Sequence, residues 1–239
     1  MRIARRSLAL ALCSGLVAVA LAAPAPSAEA QGGEPTPAEV AAWVQRFYEQ
    51  TTVVSARFQQ HFWTKVYQRT QSSRGRVRIS RPGRIRFDYD QPRGKVVASD
   101  GEGFVFYEPG DDGGAGQYVR GSSDAASSAL GFLTGTARLD RDFRFSLRAA
   151  SSTAPEHTQA LELRPRRPDP HYVRVILYVD DRPETRGVVR RVSIEDHEGN
   201  WNRFDFSGFD FTTAIAPDVF RFTPPEGARE ITRSGGEDS

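Results

Sequence analysis

Between Val77 and Tyr89 the chain alternates with a period of two. Val77, Ile79, Ile85, Phe87 and Tyr89 are apolar on odd positions, while Arg76, Arg78, Arg84, Arg86 and Asp88 occupy even ones. Successive side chains of a strand point to opposite faces, so the pattern predicts two strands with one apolar and one wetted face. The break at Arg81-Pro82-Gly83 predicts a hairpin turn. A loop of three residues keeps odd positions on one face across the turn, and Gly83 suits the left-handed conformation such a loop requires. The same period begins at Ser55, where Ala56, Phe58 and Phe62 alternate with Arg57, Gln59 and His61.

Strand character continues at 95–99, 103–107, 143–148, 160–164, 172–179, 188–195, 201–206 and 220–223. Turn residues punctuate these runs, as in Ser99-Asp100-Gly101 and His197-Glu198-Gly199-Asn200. Many strands joined by short turns predict a mainly β fold of the α+β kind, an antiparallel meander curled into a barrel or part of one.

Two segments change the period. Thr36-Pro37-Ala38-Glu39 predicts a helix start, with Thr36 as cap, Pro37 at the first helical position and Glu39 closing a capping box. Val40, Trp43, Val44 and Phe47 follow at helical spacing and form one apolar stripe. Ordinary core packing and a covering role both fit that stripe. Later, 108–121 is glycine-rich and acidic and reads as a surface loop. The stretch 122–134 then reads as a short helix carrying Leu130 and Phe132, either a lid or a packing helix.

The N-terminus carries an export pattern. Arg2, Arg5 and Arg6 precede the uncharged run from Leu8 to Ala23, and Ala28-Glu29-Ala30 offers a small-residue cleavage site. Residues 1–30 are therefore expected to be a cleaved secretory signal, 31–229 a single domain and 230–239 a polar tail. The only cysteine, Cys13, lies within the signal, and Leu12 before it disfavours a lipidation site. A mature chain without cysteine has no disulfide or thiol chemistry.

Removal of Arg2, Arg5, Arg6 and Glu29 lowers the counts from 32 basic and 30 acidic residues to 29 of each. A neutral domain lacks the electrostatic footprint of a nucleic-acid binder. His61, His157, His171 and His197 are scattered, with no pair at metal-ligand spacing. Acidic pairs such as Asp180-Asp181 fall in turn-like stretches, where they are expected to be solvated. No nucleophile elbow or phosphate-cradling loop is present, so the chain is read as non-enzymatic. An envelope hydrolase is the less favoured alternative.

Several stretches together resemble the LolA family of periplasmic lipoprotein carriers. They are Val54-Ser55-Ala56-Arg57-Phe58-Gln59-Gln60, then 75–88 with Arg81-Pro82 at its centre, then Asp90-Gln91-Pro92 and Ser99-Asp100-Gly101. Phe106-Tyr107-Glu108-Pro109 and Phe220-Arg221-Phe222-Thr223-Pro224-Pro225-Glu226-Gly227 complete the series. They occur in order across roughly residues 38 to 229.

The resemblance implies an incomplete antiparallel β-barrel, a half-barrel with helices over its concave apolar face and a lipid cavity between. Trp43, Val44, Phe47, Leu130 and Phe132 would then belong to the covering helices. Phe58, Phe62, Val77, Ile79, Ile85, Phe87, Phe104 and Phe106 would line the sheet side. Arg81 matches the family's arginine associated with holding the lid and with onward transfer, and its guanidinium can donate several hydrogen bonds to carbonyls of a covering helix. The implied cargo is acylated lipoproteins, and the implied partners are an inner-membrane lipoprotein-releasing ABC transporter and an outer-membrane acceptor or the outer membrane itself. The carrier is expected to act in the periplasm as a monomer, without a cofactor. A family member with another lipid cargo or a lipoprotein-sensing role is the alternative. Arg78, where many members carry a large aromatic, and the long 108–121 loop depart from the family pattern and bear on cavity shape.

Overall fold

The computed structural model describes residues 33–111, 114–122, 138–149 and 151–231. The chain divides into Met1–Glu34 and Pro35–Ser239, and every element below belongs to the second unit. Helix α1 (Pro37–Gln50) starts as its sequence dictates. Glu39 donates its backbone N–H to Thr36 Oγ1, and the Glu39 carboxylate accepts from the Thr36 backbone N–H at 2.7 Å.

Among the described residues, twelve strands form one sheet. The first group is β1 (Val53–Thr64), β2 (Arg69–Ser80), β3 (Arg84–Gln91), β4 (Val96–Asp100), β5 (Gly103–Glu108) and β6 (Gln117–Ser122). After the short helix α2 (Leu139–Asp142) come β7 (Phe143–Arg148), β8 (Thr158–Pro165), β9 (Arg174–Asp180), β10 (Val189–Glu195), β11 (Trp201–Asp210) and β12 (Arg229–Glu230). Their order in space is β12-β6-β5-β4-β3-β2-β1-β11-β10-β9-β8-β7. Two meanders thus run outward from a central β1–β11 seam, and the sheet stays open, with β7 and β12 as its edges.

The β2–β3 register matches the alternation in the sequence. Val77 pairs with Phe87 and Ile79 with Ile85 across a turn of three residues, in which Gly83 has φ +77°. Val77, Ile79, Ile85, Phe87 and Tyr89 are buried, and their face continues through Phe58 on β1 and Phe204 and Phe206 on β11 to Leu177 on β9 and Leu161 on β8. Val40, Ala41, Val44 and Tyr48 of α1 belong to the same buried cluster.

Helix α1 packs on this cluster, contacting β7 and β8 on one side and, through Tyr48 and the Arg81 side chain, the β2–β3 turn on the other. The face it meets is the inner, apolar face of the sheet, and the opposite face is the outer one.

Several expectations need correction. The segment 117–121, read as loop, is most of strand β6, paired along its length with β5. Glycines on both sides masked the short alternation in Gln117-Tyr118-Val119-Arg120. Residues 220–223 are not a strand. Phe220 ends a 3-10 turn (Pro217–Phe220), and Phe222 lies against Tyr107 at 5.4 Å on the outer face. Arg86 holds this segment by donating to the Val219 carbonyl at 2.9 Å, so a side chain supplies what a strand ladder would have. The sheet also contains one parallel pair, β12 with β6. Asp180 is not solvated; its side chain is 0% exposed and pairs with Arg182 and Arg190. The helix expected over 122–134, with Leu130 and Phe132, lies outside the described residues.

Candidate functional site

The inner face is built by residues whose neighbours give them room. Phe58 stands opposite Gly75 on β2, which stands opposite Tyr89 on β3. A Cβ at Gly75 would overlap the carbonyl oxygen of Asp88, so only glycine permits this close approach. The Phe58 ring meets Tyr89 at 4.9 Å and Phe87 at 5.2 Å, both edge to face, the arrangement aromatic quadrupoles favour. Phe204 closes the group, 5.7 Å from Phe87 and 6.2 Å from Phe58. Phe58 is only 2% exposed.

Polar groups on this face satisfy one another. The Tyr89 hydroxyl donates to Gln60 Oε1 at 2.9 Å, and Gln60 Nε2 donates to Asn202 Oδ1 at 2.9 Å. Burial pushes the Tyr89 hydroxyl well above its ordinary pKa, so it remains a donor.

Arg81 sits in the β2–β3 turn and reaches the helix. Its Nη1 donates to the backbone carbonyl of Tyr48 in the last turn of α1, and the guanidinium carbon stands 5.1 Å from the Tyr48 ring centre. A cation at a helix C-terminus also meets the negative end of the helix dipole. Burial lowers the Arg81 pKa, but the group stays charged at neutral pH. Further along α1, Trp43 lies under Arg186 at 5.0 Å, and Phe47 meets Phe211 edge to face at 5.1 Å.

Of the residues singled out from the sequence, Val44, Phe58, Val77, Ile79, Ile85 and Phe87 come together in one buried cluster, with Trp43 and Phe47 partly exposed against it. Phe62, Phe104 and Phe106 are not members and are half-exposed. The register still places Phe106 and Phe104 on the inner face, because Phe106 pairs with Val97, which pairs with Phe87. Phe204, Phe206, Gln60 and Tyr89 also build this face. The alternation in Trp201-Asn202-Arg203-Phe204-Asp205-Phe206 carried that signal.

Depressions of about 450 and 400 Å³ open on the outer face, the first lined by Arg57, Arg76, Arg78 and Asp210, the second by His61, Trp63, Tyr178 and Trp201.

Comparison with known proteins follows the same line. An outer-membrane lipoprotein carrier protein of Nitrosospira multiformis is 27% identical over 188 residues, spanning 78% of this chain and 85% of that protein. A namesake from Alkalilimnicola ehrlichii is 29% identical over 191 residues, spanning 80% and 83%. The crystal structure of a LolA superfamily protein from Nitrosomonas europaea, 14% identical, covers 79% of this chain and 99% of its own at a TM-score of 0.45. The model of the family described as outer membrane lipoprotein carrier protein LolA matches residues 49–223, most of the sheet from β1 to the 3-10 turn, and the chain belongs to that family.

Proposed function

We propose that this protein is an exported periplasmic carrier that binds the acyl chains of lipoproteins between α1 and the inner face of the sheet and delivers them to the outer membrane. Residues 1–30 act as the cleaved signal. The observation that carries the reading is the tie between Arg81 and the Tyr48 carbonyl, which holds α1 over a wide apolar surface at one charged point.

The energetics fit a carrier. Each methylene moved out of water contributes about 0.8 kcal/mol, so two or three long chains represent on the order of 30 kcal/mol. Cargo must be shielded, yet it must leave. Acyl chains enter by taking the place of Phe47 against Phe211, exchanging one set of apolar contacts for another. The Arg81 tie is worth roughly 1.5–3 kcal/mol. That is small enough for cargo to break by its preference for the open form. Loading from an inner-membrane transporter and handover to an outer-membrane acceptor need no cofactor and no chemical step in the carrier.

Mass spectrometry under non-denaturing conditions, on protein purified from its own cell envelope, tests this. Co-purifying triacylated lipoprotein is the expected result, with the protein starting near Gln31. A different bound lipid would point to the sensing or alternative-cargo reading, and turnover of ester substrates to a hydrolase.

A further inference from the structure

The acid-free part of the chain is its most asymmetric feature. Residues 50–87, between Glu49 and Asp88, contain nine Lys and Arg and no Asp or Glu, although the chain as a whole is near balance. This stretch forms β1, β2, the turn between them and the start of β3. On the outer face Arg57 stands directly opposite Arg76, while Arg78 and Arg86, also opposite one another, share Asp88. Like charges directly opposite repel, so the Arg57–Arg76 pair costs stability. Among the described residues no carboxylate makes an ion pair with Arg57, Arg69, Arg74 or Arg76, although Asp88 is the ladder partner of Arg76. Elsewhere on the sheet the partners are supplied, as Arg174 has Glu195 and Arg191 has Asp205.

The same hairpin projects. β3 begins to pair with β2 only at Arg74, so residues 69–73 are held by β1 alone, a free edge of about 16 Å. At its tip stand Val66, 80% exposed, and Tyr67, 78% exposed. A four-residue turn normally draws on Gly, Asn, Asp or Pro, and a β-branched and an aromatic residue at its apex run against that preference. Neither is there to help the chain turn. The tip is nevertheless braced, because Lys65 donates its backbone N–H to Asn200 Oδ1 at 2.9 Å and accepts from Gln68 at 3.3 Å. Lys65 and Arg69 flank the apex, and Trp63 pairs with Trp201 across the β1–β11 seam just below it.

An apolar and aromatic apex above indole rings, set on a cationic stem, matches an anionic bilayer surface. The apex enters the headgroup layer, the amphipathic rings sit at its boundary, and the arginines meet the lipid phosphates. We infer that the β1–β2 hairpin docks the protein onto anionic phospholipid membranes through Val66 and Tyr67, with Lys65, Arg69 and the outer-face arginines supplying the attraction. The contact requires neither acyl cargo nor the Arg81 tie, so it can stand or fall apart from the carrier reading.

Vesicle co-sedimentation of the purified protein tests it, with phosphatidylglycerol in phosphatidylethanolamine against phosphatidylcholine alone. Binding is expected only to the anionic vesicles and should weaken as salt screens the arginines. The exposed double variant Val66→Ser/Tyr67→Ser should keep the wild-type melting temperature and lose binding about tenfold. Lys65→Gln/Arg69→Gln should lose a similar factor and flatten the salt dependence. Equal binding to neutral vesicles, absence of binding to anionic ones at low salt, or a Val66/Tyr67 variant that sediments like the parent would overturn the inference. So would a photocrosslinker at position 67 that captures an acidic protein in cells and no lipid.

Discussion

Arg81 donates to the backbone carbonyl of Tyr48 and lies over the same residue's ring, so a single turn residue fixes the end of α1 both by a charged hydrogen bond and by a cation–π contact. Arg81→Leu removes both and leaves the sheet's register untouched. Stability should fall by about 2 kcal/mol with an unchanged circular dichroism spectrum. Amides of α1 should exchange at least tenfold faster, while those of β1 and β11 barely change. On the carrier reading, leucine also adds hydrocarbon contact at the rim, so acyl cargo should transfer to an acceptor more slowly. Release at the parental rate would remove Arg81 from that step.

Gly75→Ala tests how the aromatic group is seated. The new Cβ would meet the Asp88 carbonyl, and a backbone cannot yield as a side chain does. The β2–β3 ladder must open locally, and the Phe58 ring loses its seat between Gly75 and Tyr89. A loss of about 2 kcal/mol is expected in denaturant unfolding. Glycine-to-alanine at an undemanding site would instead be neutral or stabilising.

Tyr48 links the helix to alkaline stability. Burial pushes its phenol up to about 12, with backbone and arginine interactions pulling only partly the other way. An unfolded tyrosine ionises near 10. The folded group therefore holds its proton longer, and its contribution is complete below pH ~10 and lost as pH rises towards 12. Tyr48→Phe should flatten this alkaline limb in a series of unfolding curves. An unaltered limb would show that the ring is not buried as described.

Much of the inner face was legible in the chain because its determinants are local. A period of two over Val77–Tyr89 needs only neighbouring residues, as does a three-residue turn with Gly83 at positive φ or a capping box at Thr36. What escaped depends on contacts distant in sequence. Phe222 finds Tyr107, and Arg86 finds the Val219 carbonyl 133 residues away, so 220–223 looked like a strand and is held as a packed segment. Gln60 interrupts the apolar side of β1, and only the folded chain shows Tyr89 and Asn202 engaging it there. The apolar stripe of α1 was visible, but only the folded chain shows that Val44 and Tyr48 join the buried cluster on the sheet.

Asp180 gives the acid-side counterpart and a test of the β9–β10 connection. It ends β9 with no exposed side-chain surface. Its carboxylate takes Arg182 Nη2 at 2.5 Å and Nε at 3.0 Å, and Arg190 Nε at 2.7 Å. Burial by itself would raise its pKa; the hydrogen bonds from Arg182 and Arg190 outweigh that and hold the carboxyl far below the usual range. The unfolded chain thus binds this proton more readily than the folded one. The stabilisation is present in full above pH ~4 and drains away as the pH falls further. Asp180→Asn keeps the shape but leaves two guanidinium groups facing a neutral amide, and should cost about 3 kcal/mol at neutral pH. The variant's stability should also depend less on pH below ~4 than the parent's. If both proteins lose stability in parallel as acid is added, Asp180 is not the carboxylate that acid attacks, and Glu162, which pairs with Arg148 and Arg164, becomes the residue to change next.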